Sequence, residues 1–317
     1  MLDPRVRRRH HVRNLAQTLL LLGGMVAVLA AVAWAVFGAA GLLWAVVAGV
    51  VVVAFRPAVP PRWVLAAYRA RAVGPRTAPE LHRYLRVLAE RACLPVVPAL
   101  YYVASPMVNA FAVGSREDPA VVVTDGLLRR LTRRELVGVL AHEISHVRSG
   151  DLQIMTLSDT VGRITHVLAY AGVLVVLLTL PVTLGGEGPS PLWSVAFLTL
   201  LPTSVTLLQL ALSRSREYDA DLAAAVLTGD PDGLAAALEK LERHDGRIWE
   251  RLMVPHRRPP DPLLLRTHPP TAERTRRLRE LVRRDDRRWL GDSGYASPQG
   301  YPLVRTPARL RFPGVRW

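Results

Sequence analysis

A stretch of 41 residues without a charged side chain, from Leu15 to Phe55, constrains the fold of this 317-residue chain more than any other feature. As a single helix it would be roughly 60 Å long, about twice the thickness of the hydrocarbon core of a bilayer. It also far exceeds the apolar core of a cleaved signal peptide, which has about 7–15 residues. The small residues Gly38–Gly41 interrupt it past its middle. The stretch therefore predicts a transmembrane hairpin over residues 15–55 that turns at these glycines.

A second apolar segment covers residues 161–212 and is divided by the linker Gly185–Ser190, which contains no lysine or arginine. Arg148 precedes this segment and Arg214 follows it. Basic residues are retained on the cytoplasmic side of a membrane, so both ends of the segment are expected inside and the linker outside. The pattern predicts a second hairpin and four transmembrane helices in two hairpins overall.

The net charge of +15 is concentrated at the two ends of the chain. Next to apolar spans, basic ends are typical of a protein that faces the anionic cytoplasmic surface of the lipid bilayer. No nucleic-acid motif accompanies the charge, so we expect no nucleic-acid partner. The single cysteine, Cys93, excludes a disulfide framework and a zinc finger built from cysteines.

Between the hairpins, the sequence reads as a soluble α+β region. Helical spacing covers Ala78–Cys93, and three short β-rich pieces follow at Leu100–Ala104, Ala110–Val113 and Ala120–Thr124. Beyond the second hairpin, Ser213–Leu227 and Gly233–Arg243 read as helices. The predicted organisation is a basic cytoplasmic N-terminus (1–14), a hairpin (15–55), the first part of an α+β domain (56–160), a second hairpin (161–212), the second part of that domain (213–290) and an extended or disordered tail (291–317).

One predicted helix in the first part carries a metal-binding motif. Thr132 and Glu135 form a capping box, and the apolar periodicity then runs to about Arg148 before Ser149-Gly150 stops it. Within this helix lies the sequence His142-Glu143-Ile144-Ser145-His146. Histidines four residues apart lie on one helical face, where both can bind a single zinc ion while Glu143 acts as the general base.

Two surface histidines on an ordinary amphipathic helix are the simpler explanation of this motif. Apolar residues fill the remaining positions of the helix at Leu136, Val139, Leu140 and Val147. Because these residues bury the helix, the two histidines are expected at the edge of a core. The helical context therefore favours a metal site.

A catalytic zinc ion takes a third protein ligand and leaves one position for water. Glu217 is the leading candidate, although by sequence it could equally be an ion-pair partner of a neighbouring arginine. Asp219 and Asp151 are weaker candidates. Asp221, one turn after Glu217, could instead accept a hydrogen bond from the far nitrogen of a ligating histidine.

Four sequence features together resemble the HtpX-like membrane zinc metallopeptidases, which are related to the CAAX prenyl proteases. They are the His142–His146 motif, Arg216-Glu217-x-x-Ala220-Asp221, Asn109-Ala110-Phe111-Ala112 and Thr267-His268-Pro269-Pro270. The resemblance covers about residues 20 to 280, including two transmembrane pairs around the same motifs. It does not extend to the Arg/Pro-rich tail.

The resemblance implies an α-helical membrane protein with an α+β catalytic domain of the gluzincin type. It implies one Zn²⁺ bound by His142, His146 and Glu217, with Asp221 supporting a ligand. Asn109 and Ala110 look like the edge strand that pairs with substrate backbone. His268 and Arg274 are similar to late family positions near the site, where either could stabilise the oxyanion.

The implied activity is the hydrolysis of peptide bonds in misfolded or damaged membrane proteins, at the cytoplasmic face of the inner membrane. The expected partners are polypeptide substrates and the lipid bilayer, and the oligomeric state is left open. Two alternatives are a processing or signalling protease of the prenyl-protease type and an inactive membrane scaffold. The intact motif disfavours the scaffold, and nothing in the sequence marks a lipidated substrate.

Overall fold

The computed structural model describes residues 4–55, 61–183, 191–252 and 271–291. The described helices and strands are α1 (Pro4–Phe55), α2 (Pro61–Ala67), β1 (Arg71–Ala72), α3 (Pro79–Arg91), β2 (Ala99–Val103), β3 (Ala110–Gly114), β4 (Pro119–Thr124), α4 (Asp125–Arg130), α5 (Arg133–Ser149), α6 (Asp151–Thr183), α7 (Pro191–Thr228), α8 (Pro231–Leu252) and α9 (Thr271–Gly291). The linker Gly185–Ser190, His268 and residues 292–317 of the predicted tail lie outside the described residues.

The chain divides into two compact units, each made of two separate segments. The first unit comprises Met1–Ala58 and Gln153–Ser215, and the second comprises Val59–Leu152 and Arg216–Trp317. Helices α6 and α7 therefore contribute residues to both units.

Apolar helices form the first unit. Buried apolar side chains of α1, α6 and α7 make two clusters, one around Met25, Leu29, Val161 and Val205 and the other around Val32, Ala169 and Leu198. On the outside, large apolar side chains such as Leu20 and Leu178 are 75% and 71% exposed, as expected for helices that face lipid. The described part of the chain contains three helical segments long and apolar enough to cross a membrane: Ala16–Trp44, Asp151–Leu180 and Val195–Thr228.

Helix α1 is broken at Gly38, inside the predicted turn. The backbone there has φ 61° and ψ −146°, a conformation that glycine tolerates best. A Cβ atom on Gly41 would lie 2.1 Å from the carbonyl oxygen of Ala33, eight residues earlier, so the chain turns back on itself tightly. Among the described residues, Ala16–Trp44 is nevertheless a single candidate span. The described part of the chain therefore has three candidate spans, whereas the sequence predicts four.

A four-stranded mixed sheet lies in the second unit, in the order β1-β2-β4-β3. Strand β4 pairs parallel to β2 and antiparallel to β3, and every residue of β4 is buried. Strand β3 lies at one edge of the sheet. The three strands predicted from sequence are confirmed to within one residue at each end.

Helix α5 begins and ends where its sequence predicts. The Thr132 side chain accepts a hydrogen bond from the backbone N–H of Glu135, whose carboxylate accepts one from the N–H of Thr132. This capping box satisfies backbone donors that have no partner within the helix. At the other end, Gly150 adopts φ 71°, a left-handed conformation that stops the helix.

Contacts with α8 hold α5 in the second unit. A Cβ atom on Gly138 would lie 3.0 Å from the Cα atom of Leu234, so the two helix backbones approach closely. Lys240 of α8 donates a 2.7 Å hydrogen bond to the Glu135 carboxylate. Because α8 and the sheet cover most of α5, only a narrow strip of this helix remains for functional side chains.

The sequence pattern does not predict four of the described elements, α2, β1, α4 and α9. Strand β1 has two residues and α4 has six, which is too short for a periodic pattern. Helix α9 is dense in charged residues, and its buried apolar contact comes from Leu278. Packing against α8 stabilises this helix, and propensity or periodicity alone does not reveal it.

We predict that Gly126→Ala destabilises the second unit by about 1–3 kcal/mol, the usual cost of overpacking. A Cβ atom at this position would lie 2.2 Å from the carbonyl oxygen of Pro106 and 2.3 Å from that of Met107, and backbone oxygens cannot move aside cheaply. Gly74→Ala is the matched control, because no atom lies within 4 Å of its added Cβ. Thermal unfolding of the purified protein in detergent measures both variants, and equal melting temperatures would contradict the prediction.

Candidate metal and catalytic site

Two histidines of α5 face each other at the centre of the site. The Nε2 atoms of His142 and His146 lie 3.2 Å apart, and the rings are perpendicular with centroids 4.7 Å apart. Four residues of helix bring the two side chains onto the same face. Both imidazoles therefore direct the same nitrogen to one point.

Glu217 of α7 completes the group. Its Oε2 atom lies 3.5 Å from Nε2 of His142, and its Oε1 atom lies 3.7 Å from Nε2 of His146. The three ligand atoms all lie within 4.8 Å of one another. The structure thus brings together the three residues that the sequence analysis singles out as ligands.

The geometry of this group fits a zinc ion. A tetrahedral zinc ion with Zn–N bonds of about 2.0–2.1 Å holds its two imidazole nitrogens about 3.3 Å apart. The observed Nε2–Nε2 separation of 3.2 Å agrees with this value. Two imidazoles and one carboxylate are also the ligand set of a catalytic site that leaves a fourth position open.

Asp221 and Arg274 surround the ligands from behind. Asp221 Oδ1 lies 3.0 Å from Nδ1 of His142, so the ring offers its other nitrogen to the metal position. Arg274 of α9 contacts both oxygens of Asp221 at 2.6 and 2.7 Å and Oε2 of Glu217 at 2.9 Å. Arg274 is only 4% exposed. Its guanidinium therefore fixes the position of Glu217 and of the carboxylate behind His142.

The buried carboxylates make the site attractive to a cation. Burial alone would lower the pKa of His142, but its hydrogen bonds to Asp221 and Glu217 and their negative charges raise the pKa to about 10. The buried carboxylates therefore stabilise positive charge at the His142 imidazole.

Glu143 lies beside the ligands and contacts the sheet. One of its carboxylate oxygens accepts a 3.0 Å hydrogen bond from the backbone N–H of Ala112 in β3. Glu143 does not belong to the ligand group. The contact holds the carboxylate between the metal position and the edge strand.

Among the described residues, no strand pairs with the outer edge of β3, and Glu143 lies next to this edge. Asn109 is engaged with β4: its carbonyl accepts from the N–H of Thr124 at 3.1 Å, and its own N–H donates to Thr124 Oγ1 at 3.0 Å. Successive residues of an antiparallel strand turn their peptide groups alternately toward and away from the partner strand. Ala110 and Ala112 therefore turn theirs away from β4, toward the free edge.

Other candidates from the sequence lie outside the ligand group. Asp219 is not among the grouped ligands, and Asp151 lies behind His146, with Oδ2 2.9 Å from Nδ1 of that ring. His268 falls outside the described residues. Sequence reasoning missed the contact of Ala112 with Glu143 and that of Asp151 with His146, because neither produces a spacing signal along the chain.

Comparisons with known proteins cover the whole site. Residues 75–282 match a family model described as Peptidase family M48. A "Protease HtpX homolog" of Burkholderia ambifaria is 32% identical over 288 residues, covering 85% of this chain and 98% of the relative. A protein of the same name from Ralstonia nicotianae is 34% identical over 287 residues, covering 85% and 97%.

A solved structure shares the fold. The crystal structure of S. mikatae Ste24p aligns with 87% of this chain and 67% of that chain, with a TM-score of 0.50 and 20% identity. The similarity extends over both apolar and sheet-containing segments of the chain.

We predict that Glu217→Ala sharply reduces the zinc content, because the third ligand is lost. Asp221→Asn should keep zinc but weaken its binding by about 10–100-fold, the range for residues that orient a ligand. Metal analysis and competition with a chelator measure both variants. Glu239→Gln is the control, because it removes a carboxylate charge from the surface of α8, where Glu239 pairs with Arg279. Normal zinc binding by Glu217→Ala would mean that another carboxylate is the third ligand.

Proposed function

Because this chain belongs to peptidase family M48, we propose that it is a zinc-dependent endopeptidase embedded in the membrane. Its proposed role is to hydrolyse peptide bonds of misfolded or damaged membrane proteins. The observation that carries the proposal is the convergence of His142, His146 and Glu217 beside Glu143, at the free edge of β3.

The donor set supports zinc as the cofactor. Neutral imidazole nitrogens and a carboxylate suit zinc, and the buried surroundings favour a cation. Zinc bound in such a site polarises a carbonyl group and lowers the pKa of water toward about 7. His142 and His146 would hold the ion through Nε2, and Glu217 would hold it through its carboxylate.

Glu143 is the proposed general base. It follows His142 directly, so its carboxylate lies beside the metal position without binding there. The hydrogen bond from Ala112 holds that carboxylate in one orientation. Glu143 accepts a proton from the water whose oxygen bonds to the carbonyl carbon of the substrate. It then delivers this proton to the amide nitrogen as the C–N bond breaks, so that the products are a carboxylic acid and an amine and Glu143 is again a carboxylate.

The free edge of β3 is the proposed substrate-binding element. An extended peptide can add to a sheet edge through backbone hydrogen bonds, which do not depend on side-chain identity. Ala110 supplies the peptide groups that face this edge, and Asn109 anchors the start of the strand to β4. Such binding suits a protease that acts on many unfolded sequences.

Arg274 has a proposed supporting role. Its shortest contacts are to the carboxylates of Asp221 and Glu217, which favours a residue that holds ligands over a donor to the oxyanion. His268 remains our candidate for stabilising the oxyanion, as the sequence suggests.

The order of the ligands along the chain supports a site on one side of the membrane. His146 precedes the second apolar segment and Glu217 follows it, so the chain must cross the membrane an even number of times between them. With a further turn at Gly38, we propose two hairpins with four crossings. The basic residues around them favour the inner membrane, with the active site facing the cytoplasm.

Glu217 lies in helix α7, five residues beyond Leu212, where the apolar segment predicted from the sequence ends. A ligand so near the end of a span favours substrates that emerge from the bilayer. This is the physical reason for preferring membrane proteins over soluble ones as substrates.

We predict that Glu143→Gln retains zinc and loses peptidase activity by about 10²–10⁴-fold, the typical contribution of a general base. Cleavage of an unfolded test protein in detergent and metal analysis of the same sample measure the two properties. The exposed Glu242, changed to Gln, is the control and should behave like wild type. More than about a tenth of wild-type activity in Glu143→Gln would contradict the assignment of the base.

Proteomics of membranes that carry wild type or Glu143→Gln distinguishes the proposed role from its alternatives. Accumulation of many membrane proteins in the variant supports quality control. Accumulation of one protein would indicate a processing protease instead. A wild-type protein without zinc or activity would indicate a scaffold.

Cysteine labelling in a Cys93→Ser background tests the proposed topology of four crossings. A membrane-impermeant reagent added to intact cells should label Gly186→Cys and Ala39→Cys. It should label Ser149→Cys, Arg214→Cys and Arg62→Cys only after permeabilisation. The last three positions are exposed on their helices, whereas Ser213 is 2% exposed and would be unreactive from either side.

Labelling of Ser149→Cys and Arg214→Cys from opposite sides of the membrane would contradict both the even number of crossings and Glu217 as ligand. Labelling of Arg62→Cys from outside would contradict the first hairpin alone.

A further inference from the structure

Asp151 is a buried carboxylate that the proposed mechanism does not use. It is the first residue of α6 and is 2% exposed. Its Oδ2 atom lies 2.9 Å from Nδ1 of His146, and its Oδ1 atom lies 3.4 Å from Nη1 of Arg216. Arg216 is itself only 8% exposed. The carboxylate of Asp151 thus lies behind His146, and the guanidinium of Arg216 lies behind that carboxylate.

We propose that Asp151 is the positioning residue of His146 and that Arg216 holds Asp151 in place. This inference rests on the proposed zinc site, and it adds a residue that no ligand motif contains. An imidazole that donates its Nδ1–H to a carboxylate has a fixed tautomer and ring orientation, and it is a stronger ligand through Nε2. His146 Nε2 is the atom that faces Glu217 at 3.7 Å.

The arrangement repeats the one behind the other histidine. Behind His142 lies Asp221, which Arg274 holds. Behind His146 lies Asp151, which Arg216 holds. Each imidazole therefore has its own carboxylate and its own buried guanidinium. Compensation of a buried carboxylate is thus the reason why Arg216 and Arg274 are both buried in the described part of the second unit.

Gly150 makes the contact between Asp151 and His146 possible. In an uninterrupted helix, residues five apart point in directions about 140° apart, so an aspartate at this position would face away from His146. Gly150 ends α5 with φ 71°, and its N–H caps the carbonyls of His146 and Val147. The turn brings the first residue of α6 back toward the last turn of α5.

Arg216 connects this contact to the third ligand. It immediately precedes Glu217 in α7 and lies 65 residues from Asp151 along the chain. A buried carboxylate without a counter-charge is strongly unfavourable, so Arg216 compensates the charge of Asp151 where water cannot. By pairing with Asp151, Arg216 joins the start of α6 to the segment that carries Glu217.

The test is the zinc affinity of Asp151 variants in the full-length protein, measured by competition with a chelator. Asp151→Ala removes the acceptor and should weaken zinc binding by about 100-fold, and Asp151→Asn should weaken it by about tenfold. The asparagine has a single oxygen for two donors, so it restores only part of the effect. The visible spectrum of bound Co²⁺ should change in both variants, because the orientation of one imidazole is no longer fixed.

Asp230→Ala is the matched control, since it also breaks a carboxylate–guanidinium pair, with Arg134, but away from the site. It should lower the melting temperature without changing zinc affinity or the Co²⁺ spectrum. Should Asp151→Ala fail to fold, the isosteric Asp151→Asn decides the question. Wild-type zinc affinity in folded Asp151→Asn would overturn the inference, whereas a wild-type protein that binds no zinc would overturn the proposed function instead.

Discussion

Carboxylates buried behind two imidazoles are the interaction on which the rest of the site depends. Each carboxylate turns the far nitrogen of its histidine toward the metal position, as Asp221 does for His142. Burying such groups is costly unless a counter-charge accompanies them, which is why guanidinium groups are buried as well. The site is therefore a compact network of paired charges whose remaining attraction is for a cation.

This network also determines which parts of the chain must be assembled. His142 and His146 come from the segment before residue 153, whereas Glu217 and Arg274 come from the segment after residue 215. Neither segment holds a complete site. The candidate ligands meet only when α5 and α7 are packed within the second unit, so binding of a metal ion would be coupled to folding of this unit.

The sheet positions a side chain next to the metal position but supplies none of the candidate ligands. The edge strand β3 holds Glu143 through the N–H of Ala112 and turns the peptide groups of Ala110 to the same side, away from β4. The carboxylate of Glu143 in α5 and backbone groups of β3 thus lie at the same edge of the sheet.

Features that depend on neighbouring residues were determined by the sequence itself. The capping box at Thr132, the histidine pair four residues apart and the break at Gly38 follow from local hydrogen bonding, helical periodicity and backbone sterics. Contacts between distant segments were decided by the tertiary structure. By sequence, Glu217 and Asp151 were both candidates for the third metal ligand. Packing of the helices places Glu217 beside the Nε2 atoms of the histidines and Asp151 behind His146. Spacing along a chain carries no information about such pairs, because their distance depends on how helices pack and not on how residues repeat.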